Sequence, residues 1–229
     1  MDWDLLARTA PTRFERVYYG HRGSAIFKWA HYLPTYDRLL QPFVGKPITL
    51  VEVGLATGGS LQLWRDYLGP DIKIIGVDLD PSCKRFEDDN TRIMIGDQGD
   101  PAFMRQVAEA VGEADVVIDD GSHINAHQIL TFETLFPIVK IGGVYVCEDL
   151  HTSYWADYGG GFGRQDTFIG YAKQAIDKLH FKYGVGELPP NDPARHIGAM
   201  IVTDSLIAFE KAEPAEVFMA MVGGDQPIA

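Results

Sequence analysis

Val117-Ile118-Asp119-Asp120-Gly121-Ser122-His123 is an apolar run that stops abruptly in two aspartates, with a histidine three residues after Asp120. The pattern returns in Val144-Tyr145-Val146-Cys147-Glu148-Asp149-Leu150-His151, again apolar and again ending in two carboxylates. Short continuous apolar runs bounded in this way read as buried strands of an α/β sheet. In an open α/β sheet, ligands collect beyond the carboxyl ends of strands, so both acidic pairs belong at the rim of a pocket. Carboxylates gathered there are costly unless a cation or strong donors meet them. With His123 close behind Asp120, the cluster reads as a metal site with a general base beside it.

The segments on either side fit the same sheet. Strand patterns at 48–53, 72–77, 92–95, 115–118 and 143–147 alternate with helical ones at 61–68, 101–111 and 126–136. Such alternation predicts a parallel sheet. Farther on, Gly159 to Gly163 form a glycine-rich loop that can connect or close over a pocket, and 167–181 is amphipathic. Two last strand patterns, 196–202 and 206–209, flank Thr203-Asp204-Ser205 and predict an antiparallel pair at one sheet edge. Before the first strand, Ile26, Trp29, Ala30, Leu33 and Tyr36 recur at helical spacing.

A chain of 229 residues suits one substantial core, and 46% hydrophobic with 23% charged residues is ordinary for a globular protein. No apolar run approaches the roughly 20 residues of a membrane span, and the start lacks the features of a signal peptide. Cys83 and Cys147 are the only cysteines, which argues against a disulfide framework and for the cytoplasm. The net charge of -12, with no Lys/Arg run, argues against nucleic acid as a partner.

Val51-Glu52-Val53-Gly54-Leu55-Ala56-Thr57-Gly58-Gly59-Ser60 links the first strand to a helix. Gly54 and Gly58 allow a tight turn on which a ligand touches backbone, and Ser60 is placed to cap the helix. The spacing departs from the G-x-G-x-x-G dinucleotide pattern. Glu52 would repel a pyrophosphate and suits a cationic cofactor, one with an ammonium and a sulfonium. Asp78, ending the second strand, can accept from ribose hydroxyls. Asp97 and Gln98, ending the third, can meet the edge of an adenine. Each is also an ordinary turn residue, and their shared placement at successive strand ends makes the set a binding site.

From about His31 to Lys173 the chain resembles class I S-adenosylmethionine-dependent methyltransferases. Within them it is similar to metal-dependent sugar O-methyltransferases, of the macrolide mycinose type and the mycobacterial methylmannose polysaccharide type. The strings that carry the likeness are Gly58-Gly59-Ser60, Gly96-Asp97-Gln98, Asp119 to His123 and Glu148 to Trp155. The resemblance implies a single domain with a Rossmann-like, mostly parallel seven-stranded sheet, a C-terminal antiparallel hairpin and helices on both faces. Residues 1–46 would form an acceptor and metal segment, 47–150 the cofactor core and 151–229 the acceptor loop, helix and hairpin.

The same resemblance implies S-adenosylmethionine and Mg²⁺ as cofactors and a sugar hydroxyl as acceptor, on a small glycoside or an oligosaccharide. It assigns Asp120, Asp149 and Asp37 to the metal, Asp37 standing where relatives commonly have glutamate. His123 becomes the general base beside Asp120. Glu52, Gly54, Gly58, Ser60, Asp78, Asp97, Gln98 and Asp119 fall to the cofactor, Asp119 also as support for the metal ligands. Glu148, His151, Tyr154 and Trp155 fall to the acceptor side. A homo-oligomer is compatible with the pattern. Two other outcomes compete: an oxygenase related to cephalosporin hydroxylase-like proteins, and a non-catalytic binding protein of the same fold.

Overall fold

The computed structural model describes residues 1–183, 188–189, 192–214, 216–220 and 222–223. Its sheet has the order β3-β2-β1-β4-β5-β7-β6, from β1 (Thr49–Val53), β2 (Lys73–Asp78), β3 (Thr91–Ile95), β4 (Ala114–Asp119), β5 (Val139–Cys147), β6 (Ile197–Thr203) and β7 (Leu206–Lys211). The first five strands are parallel, while β7 runs antiparallel to both β5 and β6. The terminal hairpin therefore inserts its second strand against β5 and leaves β6 at the edge. Strand order reverses direction between β1 and β4, the place where an open α/β sheet offers a crevice.

Consecutive strand residues feed opposite cores, which is why these strands read as continuous apolar runs. Leu50, Val116, Ile118, Val146 and Ala208 pack on one face with Leu33, Tyr36, Leu40, Trp64 and Leu68. Those partners come from α3 (Leu33–Leu40) and α4 (Gly59–Leu68). Val51, Val117, Tyr145, Ile207 and Phe209 pack on the other face. There they meet α5 (Pro101–Val111), α6 (Asn125–Leu135) and α7 (Phe168–Leu179). The layout is the expected one, helices on both faces of a mostly parallel sheet with a C-terminal hairpin.

The N-terminal segment departs from expectation. Helices α1 (Trp3–Thr9) and α2 (Arg13–Gly20) precede it, and Thr12 with Glu15 forms a capping box at the start of α2. Ile26 to Trp29 is not helical; a short turn at Ala30–Tyr32 leads into α3, with Pro34 in its first turn. Cys83 and Cys147 are both buried and free. Among the described residues no helix is long and apolar enough to cross a membrane.

Candidate active site

Beyond the carboxyl ends of β1, β2, β3, β4 and β5 lies a cleft of about 520 Å³, within the range of small-molecule sites. Its floor is the turn after β1. Gly54, at φ +91°, passes so close to β4 that a Cβ there would overlap the Asp120 carbonyl. Gly58, at φ +73°, caps α4, so the expected cap, Ser60, lies one turn position inside the helix. Its hydroxyl instead donates to Glu52 Oε2 at 2.9 Å.

On the β1–β2–β3 side, carboxylates are met by backbone. Asp78 Oδ2 accepts from the N–H groups of Leu55 (2.8 Å) and Ala56 (3.2 Å), and its Oδ1 from Asp80 N–H at 2.8 Å. Asp78 thus clamps the glycine turn and lines the cleft. Asp97 also lines it, accepting from Gly99 N–H at 2.7 Å.

Two residues expected at the cofactor, Asp119 and Glu52, stand behind the cleft, and a third, Gln98, lines it. Gln98 borders it, but its amide is committed inward. Nε2 donates to Asp119 Oδ1 at 2.6 Å and Thr131 Oγ1 at 2.9 Å, and Oε1 accepts from Ser122 N–H at 2.9 Å. These bonds tie the ends of β3 and β4 together at the cleft edge where Gln98 was expected to meet an adenine. Asp119 is fully buried, also accepting from Tyr145, and burial pushes its carboxyl up to about 7. It supports the cleft wall and does not line it. Glu52 is buried too, its carboxyl pushed up to about 7 by burial while Lys28 pulls the other way. Its Oε1 has no partner among the described residues.

The β4–β5 side is built from side chains. Asp120, His123 and Asp149 are half-buried and bring one ligand atom each within 4.8 Å of one another. His123 Nε2 lies 3.6 Å from Asp149 Oδ2, while its Nδ1 is buried without a partner among the described residues. His123 and Asp149 both adopt left-handed backbone, φ +56° and +57°. Asp and His tolerate that region better than most residues, and sparsely populated geometry collects at functional sites. Asp149 Oδ1 accepts from Tyr32 OH at 2.8 Å. Two carboxylates and one imidazole converging on a point suit a hard divalent cation that keeps some of its water.

Lys28 completes this half, and nothing in its sequence neighbourhood marks it. Its Nζ donates to Asp120 Oδ2 at 2.7 Å and Glu148 Oε1 at 2.8 Å. Glu148 also accepts from Tyr36 OH. Burial and the Asp120 charge push the Glu148 carboxyl up to about 8, against the pull of Lys28 and Tyr36. Glu148 does not line the cleft, so its expected acceptor contact is replaced by a buried tie to Lys28 and Tyr36.

Asp37 is not brought to the cluster. Its Oδ1 accepts from Phe14 N–H at 2.8 Å and Tyr67 OH at 2.9 Å, fastening α3 to α2 and α4. Asp37, expected as the third metal ligand, lies outside the Asp120–His123–Asp149 group. Tyr32 and Tyr36, on the same segment, are what reach the site. His151 hydrogen-bonds through Nδ1 to Ser205 Oγ (2.6 Å), and its ring packs between Trp29 and Trp155 at 5.9 and 4.6 Å. Tyr154 and Trp155 are about half exposed, and neither lines the cleft. The glycine loop is tied back through Gly160 N–H to Trp155 O and Gly161 N–H to Ser153 O, leaving Phe162 exposed.

No protein-family model matches the chain. It is 37% identical to 8-demethyl-8-alpha-L-rhamnosyl tetracenomycin-C 2'-O-methyltransferase of Streptomyces olivaceus, over 80% of the chain and 51% of that protein. To mycinamicin VI 2''-O-methyltransferase of Micromonospora griseorubida it is also 37% identical, over 75% of the chain and 44% of the relative. Among solved structures, the MycE methyltransferase of the mycinamycin pathway, in complex with Mg, SAH and mycinamycin VI, superposes with a TM-score of 0.75. That match has 33% identity and covers 83% of this chain and 51% of the other. The chain spans about half the length of the curated relatives it matches.

Proposed function

Because the chain has the class I methyltransferase fold and is homologous to natural-product sugar O-methyltransferases over about half their length, we propose that it is an S-adenosylmethionine- and Mg²⁺-dependent O-methyltransferase acting on a sugar hydroxyl. The observation that carries the proposal is the convergence of Asp120, His123 and Asp149 at one wall of a cleft whose floor is the glycine turn. The names of the relatives favour a glycosylated small molecule over a polysaccharide precursor as acceptor.

When bound, S-adenosylmethionine supplies an activated methyl for in-line displacement, and a divalent ion eases charge on the acceptor oxygen. The 54–58 turn and Asp78 would hold the nucleoside end of the cofactor. Glu52, with one oxygen unpaired behind Ser60, is an acceptor close to the glycine turn that would suit a cationic cofactor. Asp120 and Asp149 would hold the ion. His123 Nε2, the ring nitrogen facing Asp149, would accept the proton of the acceptor hydroxyl. The aromatic shelf of Trp29, His151 and Trp155 offers flat faces to the acceptor.

A pair of carboxylate ligands with the histidine kept as base differs from the two-histidine, one-carboxylate set of iron oxygenases. Incubating the protein with labelled S-adenosylmethionine, Mg²⁺ and a panel of rhamnosyl and deoxysugar glycosides tests the proposal. A product heavier by one methyl is expected. A product heavier by one oxygen would move the chain to the oxygenase reading. Failure to bind S-adenosylmethionine by calorimetry would move it to the binding-protein reading.

A further inference from the structure

Lys28 sits where a lysine is expensive to place. Its side chain is 1% exposed, with Glu148 at 2% and Asp120 at 21%. Its Nζ lies 5.6 Å from the ring centre of Tyr36 and 5.7 Å from that of Trp64. The ammonium is met on this wall by the carboxyl groups of Asp120 and Glu148. Ordering a long side chain and stripping its water are repaid only by several anions in good geometry. Both carboxyl groups accept its hydrogen bonds directly, and one of them, Asp120, also offers an atom to the Asp120–His123–Asp149 cluster.

We infer that Lys28 is a tethered counter-cation of the metal cluster, a positioning residue that holds Asp120 and Glu148 ready without an ion and opposes the ion that Asp120 shares. The inference rests on the divalent-ion reading above. Without Lys28, Asp120 and Glu148 lose the donor they share on that wall. Among the described residues no other ammonium or guanidinium pairs with Asp120 or Glu148, so a divalent ion then becomes their counter-charge. With Lys28 in place the wall is already neutralised, so the cluster assembles before the ion arrives and holds it less tightly. Like charges at this range repel strongly where water is scarce. Neutralising Lys28 should therefore tighten ion binding, the opposite of what loss of a purely structural residue does.

The test is calorimetric titration of Mn²⁺, without cofactor, into wild type, Lys28→Met and Lys28→Gln. Thermal melts with and without the ion accompany it. The expected result is binding at least about tenfold tighter in both neutral variants, with a lower metal-free Tm and a larger rise on adding Mn²⁺. A variant that folds only when Mn²⁺ is present counts for the inference. A variant that stays unfolded with the ion, or binds it no tighter than wild type does, overturns it. Wild type and both variants failing to bind Mn²⁺ would remove the metal reading itself. Binding by wild type without tightening in the variants removes only the role of Lys28.

Discussion

The two halves of the cleft handle their carboxylates in opposite ways. Along β1, β2 and β3, Asp78 and Asp97 are met by backbone N–H groups of turns two residues away or across one strand. Along β4 and β5, Asp120, Glu148 and Asp149 are met by Lys28, Tyr36 and Tyr32, side chains that arrive from more than ninety residues earlier. Backbone donors are fixed once the turn forms, so the first half is a rigid seat. Side-chain donors on an N-terminal segment make the second half conditional on how that segment docks. A cofactor that always binds the same way suits the first arrangement, and an acceptor that varies among relatives suits the second.

The comparison can be broken most severely at His123. His123→Ala should lower turnover by at least about 100-fold, the usual scale of a general base, while S-adenosylmethionine affinity changes by less than about threefold. Turnover and calorimetry measure the two separately. Loss of both together would mean that the halves are not independent. On the other half, Gly54→Ala should cost more than about 2 kcal/mol of stability and abolish cofactor binding. Its Cβ would press on the Asp120 carbonyl at a positive φ. Gly45→Ala, also at positive φ but with open space around it, should cost only about 1 kcal/mol in the same denaturation series.

A smaller effect concerns pH. Folded Asp119 and Glu52 hold protons up to about 7 and Glu148 up to about 8, all above the values of the unfolded chain. Between about pH 4 and 8 the folded protein therefore binds more protons than the unfolded one, and stability falls as pH rises. Metal-free melts should show Tm declining across that window, with a shallower decline in Asp119→Asn. A Tm that rises from pH 5 to 8 would contradict the burial of these groups. The smallest effect is expected at Asp37. Asp37→Asn should loosen the fold by about 1 kcal/mol through its bonds to Phe14 and Tyr67, with Mn²⁺ affinity unchanged. A tenfold loss of Mn²⁺ binding there would restore Asp37 as a ligand.

The same division explains what was legible in the sequence. Strands and the glycine turn follow from local pattern, because a strand buried on both faces must be apolar throughout and must end where the pocket begins. Asp120, His123 and Asp149 were visible as strand-end residues for that reason. Gln98, Asp119 and Glu148 were equally visible, but whether a strand-end side chain points into the cleft or back into the wall depends on partners such as Thr131, Tyr145 and Lys28. No local pattern encodes those. Lys28 was not legible because Ile26 to Trp29 is not helical, so helical spacing does not tell which of its residues face β4 and β5. The Thr12–Glu15 capping box was a readable signal for α2, and it lay unused in a stretch with little other pattern.

The central claim is that the β4–β5 half works only with a divalent ion while the β1–β3 half binds its cofactor alone. Methyl transfer to a glycoside acceptor should stop on adding a chelator and return with Mg²⁺, while calorimetry still detects S-adenosylmethionine binding throughout. Undiminished methyl transfer in the chelated protein would contradict the account.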